Sequence, residues 1–336
     1  MRRARSVKLA VQLIVLATTA LMVFAATRVQ WADVWSGLES SNVWWTLPSL
    51  GLFVAATAVR AIRWRSVISA ERRPPFAPIG RALLIGYFFN NVLPARAGEP
   101  ASIIALNRES ELSPAEIAAT VVVERVLDVA CLLLLFALAL PWLPSLGWNM
   151  AAAWILAGVV IVLLVLLVLL ALGEEPLLRR VLSPFTRLPG LRDEHVVGVA
   201  QSLSRGLSTL RTFRSVAIAV AWTLLSWLLL AASSWVLMLG FDFGLSPFAG
   251  LVVIVAAGLA SILPALPAGI GIFEAATVLA LDAYSVSHSQ ALSYAVVFHA
   301  INVVPFLAVG APLVWRHADL WRTARWSGSS EQAPAD

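Results

Sequence analysis

The feature that most limits the fold of this chain is the segment 87–128, YFFNNVLPARAGEPASIIALNRESELSPAEIAATVVVERVLD, where apolar helical stretches are interrupted by charges and helix breakers. Two short apolar pieces, 82–93 and 101–106, flank Pro94, Arg96, Gly98, Glu99 and Pro100, and the next apolar run holds Glu124, Arg125 and Asp128. Lipid offers no hydrogen bonds to a freed backbone group. A broken helix at membrane depth therefore survives only where protein or a wet cavity covers it. The segment reads as the wall of a polar cavity inside a membrane protein.

Composition establishes that the surroundings are lipid. Of the 336 residues 60% are hydrophobic and 13% charged, and the mean hydropathy of +0.85 lies far from that of soluble domains. The expected class is an all-α polytopic membrane protein with about six full transmembrane helices, at 7–27, 43–62, 117–140, 150–172, 216–240 and 291–315, and two further hairpins. The net charge of +5 is almost entirely arginine, Lys8 being the only lysine. The arginines fall in short runs between apolar segments, a pattern of the positive-inside rule rather than of a nucleic-acid-binding face. The lone Cys131 gives neither a disulfide framework nor a thiol metal site. No Ser/His/Asp order, phosphate loop or metal-ligand spacing stands out, so no catalytic residue, metal or cofactor is expected.

Charge fixes the expected topology. Arg2, Arg3, Arg5 and Lys8 precede a first apolar core longer than the roughly 7–15 residues of a signal-peptide core. An uncleaved signal anchor is expected, the alternative being cleavage near Ala25 and Ala26. The second crossing ends in Arg60, Arg63, Arg65, Arg72 and Arg73, and both its basic flank and the N-terminus are assigned to the cytoplasm. If 79–106 crossed once, the segment 174–214 with its seven arginines would fall outside. A re-entrant hairpin opening from the cytoplasm, with its tip at 94–100, removes the conflict. The turn 141–149 then lies outside, with Trp142 and Trp148 at interface depth. Within 174–214, Val196, Val199, Leu203, Leu207, Leu210 and Phe213 recur at helical spacing. They describe an interfacial helix on anionic headgroups, or a linker packed on neighbouring helix ends. By the same parity 248–283 is a second hairpin open to the outside, broken at Pro264, Pro267, Gly269 and Gly271 before Glu274, and the tail 317–336 is cytoplasmic. The expected product is a multi-pass protein of the cell membrane with both termini inside.

The two tips are also alike. Leu93, Pro94 and Ala95 followed by Ala97, Gly98 and Glu99 are echoed by Leu263, Pro264 and Ala265 followed by Ala268, Gly269 and Glu274. Matched position and opposite orientation give an expected inverted repeat, an architecture in which paired discontinuous helices meet near the midplane and mark the substrate site.

NNVLPARAGEP at 90–100, VVVERVLD at 121–128 and LPALPAGIGIFEAA at 263–276 resemble the signatures of the lysylphosphatidylglycerol synthase transmembrane, flippase-like family. The resemblance covers about residues 8–316. It implies a flippase-like transmembrane domain over 1–316 that moves or handles lipids, with Arg96, Glu99, Glu124, Arg125, Asp128 and Glu274 at the family's polar positions. Bifunctional members carry a cytosolic aminoacyl-transferase domain after this region. Here the chain stops at Asp336, so the expectation is that lysyl-lipid synthesis is not performed by this chain alone.

Each candidate has a structural alternative. Arg125 and Asp128, three apart, could simply neutralise each other, while Glu124 and Asp128, four apart, share a face and repel unless a cation intervenes. The functional reading rests on the cost of charges within lipid and their rarity away from a pathway. Asn90 and Asn91 could only close the hairpin turn. His299 and Asn302 lie three apart on the last crossing, facing the bundle interior as a hydrogen-bonded core pair or as part of a relay. Glu274 could cap its own half-helix or meet Arg96 or Arg125 across the repeat interface.

The expected function is transport or flipping of a polar-headed, anionic or isoprenoid-linked lipid. The alternatives are a non-catalytic membrane partner for a separate synthase or glycosyltransferase and an intramembrane enzyme on lipid-linked substrates. Membrane lipids are the expected partners, nucleic acid is not. The topology has a direct test: in a Cys131→Ala background, a cysteine replacing Ser204 should resist an impermeant thiol reagent added to intact cells. Labelling there overturns the assignment.

Overall fold

The computed structural model describes residues 31–39, 41–93, 96–139, 212–261 and 267–316, with 158 and 201 as single positions. Among them no strand occurs. The helices are α1 (Trp31–Glu39), α2 (Thr46–Val67, entered through a 3-10 turn at Val43–Trp45), α3 (Phe76–Val92), α4 (Gly98–Arg108), α5 (Pro114–Ala139), α6 (Phe213–Gly240), α7 (Pro247–Ala260), α8 (Ile272–Asp282) and α9 (His288–Arg316). The crossings at 7–27 and 150–172, the turn at 141–149, nearly all of 174–214, Pro94, Pro264 and the tail 317–336 lie outside the described residues.

Local sequence sets the helix starts. In Ser113-Pro114-Ala115-Glu116 the Glu116 N–H donates to Ser113 Oγ at 3.2 Å and the Ser113 N–H donates to Glu116 Oε2 at 2.7 Å, a reciprocal capping box with proline at the first helical position. Thr212 caps α6 by accepting from the Ser215 N–H.

Three helical stretches, Val43–Val67, Phe213–Gly240 and His288–Arg316, are long and apolar enough to cross a membrane. The 26-residue α5 matches them in length, about 39 Å at 1.5 Å per residue, but carries Glu116, Glu124, Arg125 and Asp128. Val54, Leu138, Leu228, Leu279 and Val304 point outward with half or more of their surface exposed. Helices that are apolar on their outer faces as well as their inner ones require lipid as solvent. The protein is an all-α polytopic membrane protein.

Small polar residues seat the central pair. Helices α2 and α6 run antiparallel, with the Asn42 N–H donating to the Gly240 carbonyl at 2.7 Å at one end and the Arg63 side chain reaching Thr223 toward the other. Between them Ser49 and Ser233 each donate to the other's backbone carbonyl at 2.8 Å, satisfying polar groups while letting the backbones approach.

Two helix pairs, α3 with α4 and α7 with α8, fall on the ranges 79–106 and 248–283, their ends lying within a turn of those bounds. Helix α4 folds back along α3. Arg81, near the start of α3, hydrogen-bonds Glu109 just beyond α4, and at the tip the Gly98 N–H donates to Asn90 Oδ1 at 2.9 Å. A β-carbon on Gly98 would lie 1.9 Å from the Gly86 carbonyl oxygen, so only glycine permits this approach. Helix α7 packs on α8 in the corresponding way. The helix after each hairpin then packs on the first arm of the other: α5 on α7, and α9 on α3.

Gly98→Ala should lower the melting temperature of the purified protein, by an overpacking cost of roughly 1–3 kcal/mol. Gly51→Ala, where an added methyl meets nothing within 4 Å, should leave it unchanged. Equal melting temperatures for the two variants contradict the close α3–α4 contact.

Candidate functional site

The centre of the molecule is a guanidinium that the charge pattern had assigned to the cytoplasmic flank. Arg63 is 2% exposed. Its Nε donates to Glu124 Oε1 at 3.0 Å, Nη1 to Asp128 Oδ1 at 2.5 Å, and Nη2 to Asp128 Oδ2 at 3.3 Å. A further contact reaches Thr223 Oγ1 at 3.3 Å, and Trp227 Nε1 donates to Asp128 Oδ1 at 3.1 Å. One side chain of α2 thus ties together α5 and α6. The basic run misleads because α2 continues to Val67, keeping Arg63 in phase with the buried Ala56 and Val67. The sequence held one signal: Glu124 and Asp128 on one face of α5 call for a cation, and Arg125 alone does not balance them.

The hairpin tip joins this network. Arg125 Nε lies 3.1 Å from Glu99 Oε1 but its N–H makes no hydrogen bond, so the contact is electrostatic. Arg125 Nη1 lies 3.5 Å from Asp128 Oδ2, and Arg96 Nη1 lies 3.6 Å from Glu99 Oε1. The expected grouping of Arg96, Glu99, Arg125 and Asp128 is present, extended by Glu124 and by the unforeseen Arg63. Arg96 adopts φ +55°, a left-handed conformation uncommon outside glycine, and donates to the carbonyl of Ser261 at the end of α7. Asn90 closes the hairpin, whereas Asn91 has no side-chain hydrogen bond among the described residues. Gly98 begins α4, and Arg96 just ahead of it has the left-handed φ.

The second break has its own partners. Pro267–Gly269 form a short 3-10 turn in which Ala268 has φ +59°, followed by Gly269 and Gly271 at +77° and +86°. Gly271 precedes α8, and its N–H donates to Glu274 Oε2 at 2.7 Å. Glu274 therefore caps its half-helix. Its other oxygen lies 2.5 Å from His299 Nδ1, so the partner is His299 on α9 rather than Arg96 or Arg125. The reason is packing: the first turn of α8 rests against α9. His299 Nε2 lies 3.0 Å from the Ala268 carbonyl, which can only accept, so Nε2 is placed to donate to it. Phe273 stacks on the imidazole at 4.6 Å. Asn302, one turn on, donates one N–H to the Phe298 carbonyl at 2.7 Å.

Two openings flank these groups. A small cleft is lined by Trp64, Tyr87, Asn90, Glu99, Glu124 and Arg125. A larger cavity of about 150 Å³ lies between α2, α6, α7, α8 and α9, with Phe53, Arg60, Trp227, Phe273, Asn302 and Phe306 in its wall. Arg60 stands between the two, donating from Nη1 to the Tyr87 hydroxyl at 3.2 Å.

Arg63→Met should destabilise the protein by roughly 3–5 kcal/mol, because it leaves two buried carboxylates facing each other. Arg72→Met, which takes a partly exposed partner from the buried Glu116 but leaves the Ser113 N–H donating to that carboxylate, should cost less, about 1.5–3 kcal/mol. Adding Glu124→Gln and Asp128→Asn to Arg63→Met should recover part of the loss. Thermal unfolding in one detergent ranks the variants, and an Arg63→Met melting temperature equal to that of Arg72→Met refutes the central role of Arg63.

A family model described as the lysylphosphatidylglycerol synthase TM region matches residues 9–310. No curated protein matches the chain.

Proposed function

The chain belongs to the lysylphosphatidylglycerol synthase TM-region family, and from that premise we propose that it moves a polar-headed lipid, anionic or isoprenoid-linked, across the cytoplasmic membrane. The observation that carries this reading is the meeting of the two helix breaks. Arg96, in the first break, donates to the carbonyl of Ser261, where α7 ends and the second break begins. The turn at Pro267–Gly269 packs against α3 of the first hairpin. Unwound backbone from two hairpins converging on one place is the arrangement that lets a polar group be held at membrane depth.

An internal repeat supports the same reading. Each break is followed by a helix with a glutamate in its first turn, Glu99 and Glu274, and each glutamate pairs at nearly the same sequence spacing with a residue of the following long helix, Arg125 and His299. Asp128 and Asn302 each lie three residues further on. On this proposal the hairpins are re-entrant and of opposite orientation, both termini are cytoplasmic, and the halves rock against each other around the breaks to exchange access. A separate synthase or transferase would supply or receive the lipid.

The test is lipid movement in vesicles. Purified protein in liposomes should accelerate exposure of the protected inner-leaflet pool of at least one fluorescent lipid, from a panel of anionic, zwitterionic and isoprenoid-linked headgroups, to an impermeant quencher added outside. Arg96→Ala, which unlinks the breaks, should change that rate at least about tenfold, as expected for a charge-assisted bond of this kind. Movement of no lipid in the panel above the protein-free rate rejects the proposal.

A further inference from the structure

Counting charge across the interior singles out one residue. Arg63, Arg96 and Arg125 are matched by Glu99, Glu124 and Asp128 within one connected network, and Glu274 is paired with His299. Arg60 remains. No carboxylate among the described residues lies within ion-pair distance of it. Its Nη1 reaches a phenol, its face rests on the Trp227 ring at 4.9 Å, and its Nε is buried without a hydrogen-bond partner. A guanidinium is always charged and presents donors in a planar fork, and Nη2, which makes no hydrogen bond among the described residues, is left as the donor for an anion.

The surroundings are built for more than water. The cavity that Arg60 lines, at about 150 Å³, offers roughly ten times what one buried water needs. Asn302, on the same wall, keeps a second N–H beyond the one given to Phe298. Phe53, Phe273 and Phe306 supply apolar wall. The contrast between halves is informative: where α5 places the carboxylate of Asp128, α9 places the neutral amide of Asn302, so no acid lines the cavity beside Arg60.

We propose that the cavity bounded by Arg60, Trp227, Phe273 and Asn302 is a binding site for a single anionic group, a phosphate or carboxylate, borne on an apolar chain, with Arg60 as the anion's partner. The proposal rests on the lipid-handling reading above and names its substrate class. It differs from the sequence expectation that Arg96 and Arg125 attract the headgroup, since both are already matched by acids.

The experiment measures binding without transport. Short-chain phosphatidylglycerol, short-chain phosphatidylcholine and inorganic phosphate are titrated into the purified full chain and followed calorimetrically. Phosphatidylglycerol should bind at least about tenfold more tightly than the other two probes, a difference in keeping with one desolvated charge-assisted contact. Arg60→Gln should abolish the preference over phosphatidylcholine, Arg60→Lys should keep most of it, and Arg316→Gln at the end of α9 should keep all of it. Should Arg60→Gln not yield folded protein, Asn302→Asp serves instead, since a carboxylate on the cavity wall should remove the same preference. A preference unchanged in Arg60→Gln or Asn302→Asp overturns the site, and inorganic phosphate binding as tightly as phosphatidylglycerol overturns the requirement for a chain. Binding through Arg60 with no lipid movement in vesicles retires the transport reading and leaves the site. Movement at the parental rate in Arg60→Gln retires the site and leaves transport.

Discussion

The pairing of Arg63 with Glu124 and Asp128 is the contact that the rest of the packing presupposes. Charges taken out of water cost several kcal/mol each, and mutual attraction repays this only when geometry and further hydrogen bonds are good. Here they are: Asp128 receives two guanidinium donors and an indole N–H, and Glu124 receives a third guanidinium donor. Because the donors come from α2 and α6 and the acceptors from α5, the relative rotation of three helices is set at one point. Helices α5 and α6 both lie against α7, and this in turn brings the end of α7 to Arg96.

Breaking two helices inside lipid demands that each freed backbone group and each strained residue be answered. A non-glycine residue in the left-handed region costs roughly 1–3 kcal/mol, and both breaks hold one, Arg96 and Ala268. The answers are side chains. Asn90 takes the Gly98 N–H, Arg96 takes the Ser261 carbonyl, Glu274 takes the Gly271 N–H and His299 takes the Ala268 carbonyl. The first break is held from its own hairpin and from α7, the second from α8 and α9. The second break is therefore braced by the helices that follow it and the first by the arm that precedes it, and the two are joined through one arginine.

Much of this was legible in the chain. Clustered prolines and glycines within apolar runs marked the interruptions between α3 and α4 and between α7 and α8, whereas the single Pro305 and Pro312 lie within α9 without ending it, and charges within α5 marked the network, since lipid does not tolerate them unpaired. Arg63 was missed because the positive-inside rule counts basic residues by segment and says nothing of which way each one faces. His299 as the partner of Glu274 was missed for a similar reason: a first-turn glutamate has several cations within reach of the imagination, and only the packing of α8 on α9 chooses among them. Gly98 was read as a source of turn geometry; that it is also a point of close approach depends on the neighbouring Gly86 and not on the glycine itself.

Trp227 stands between the ion-pair network and the cavity and touches both. Its N–H serves Asp128 in the neutral network, while its ring face carries Arg60 on the side of the cavity. On the proposed rocking of the two halves, a neutral network would hold its shape, because no net charge would have to be moved into lipid or water. The unmatched Arg60 has the opposite property. Alone at membrane depth it is a cost, and an anionic group bound beside it removes that cost by forming a neutral pair in a low-dielectric site. On the proposed lipid-handling reading the loaded cavity would be easier to seal from water than the empty one, so binding energy from the head group would go into the conformational step itself. A lipid without negative charge fills the same space without that gain, and the discrimination between the two lies in the change between open and closed states rather than in the contact alone.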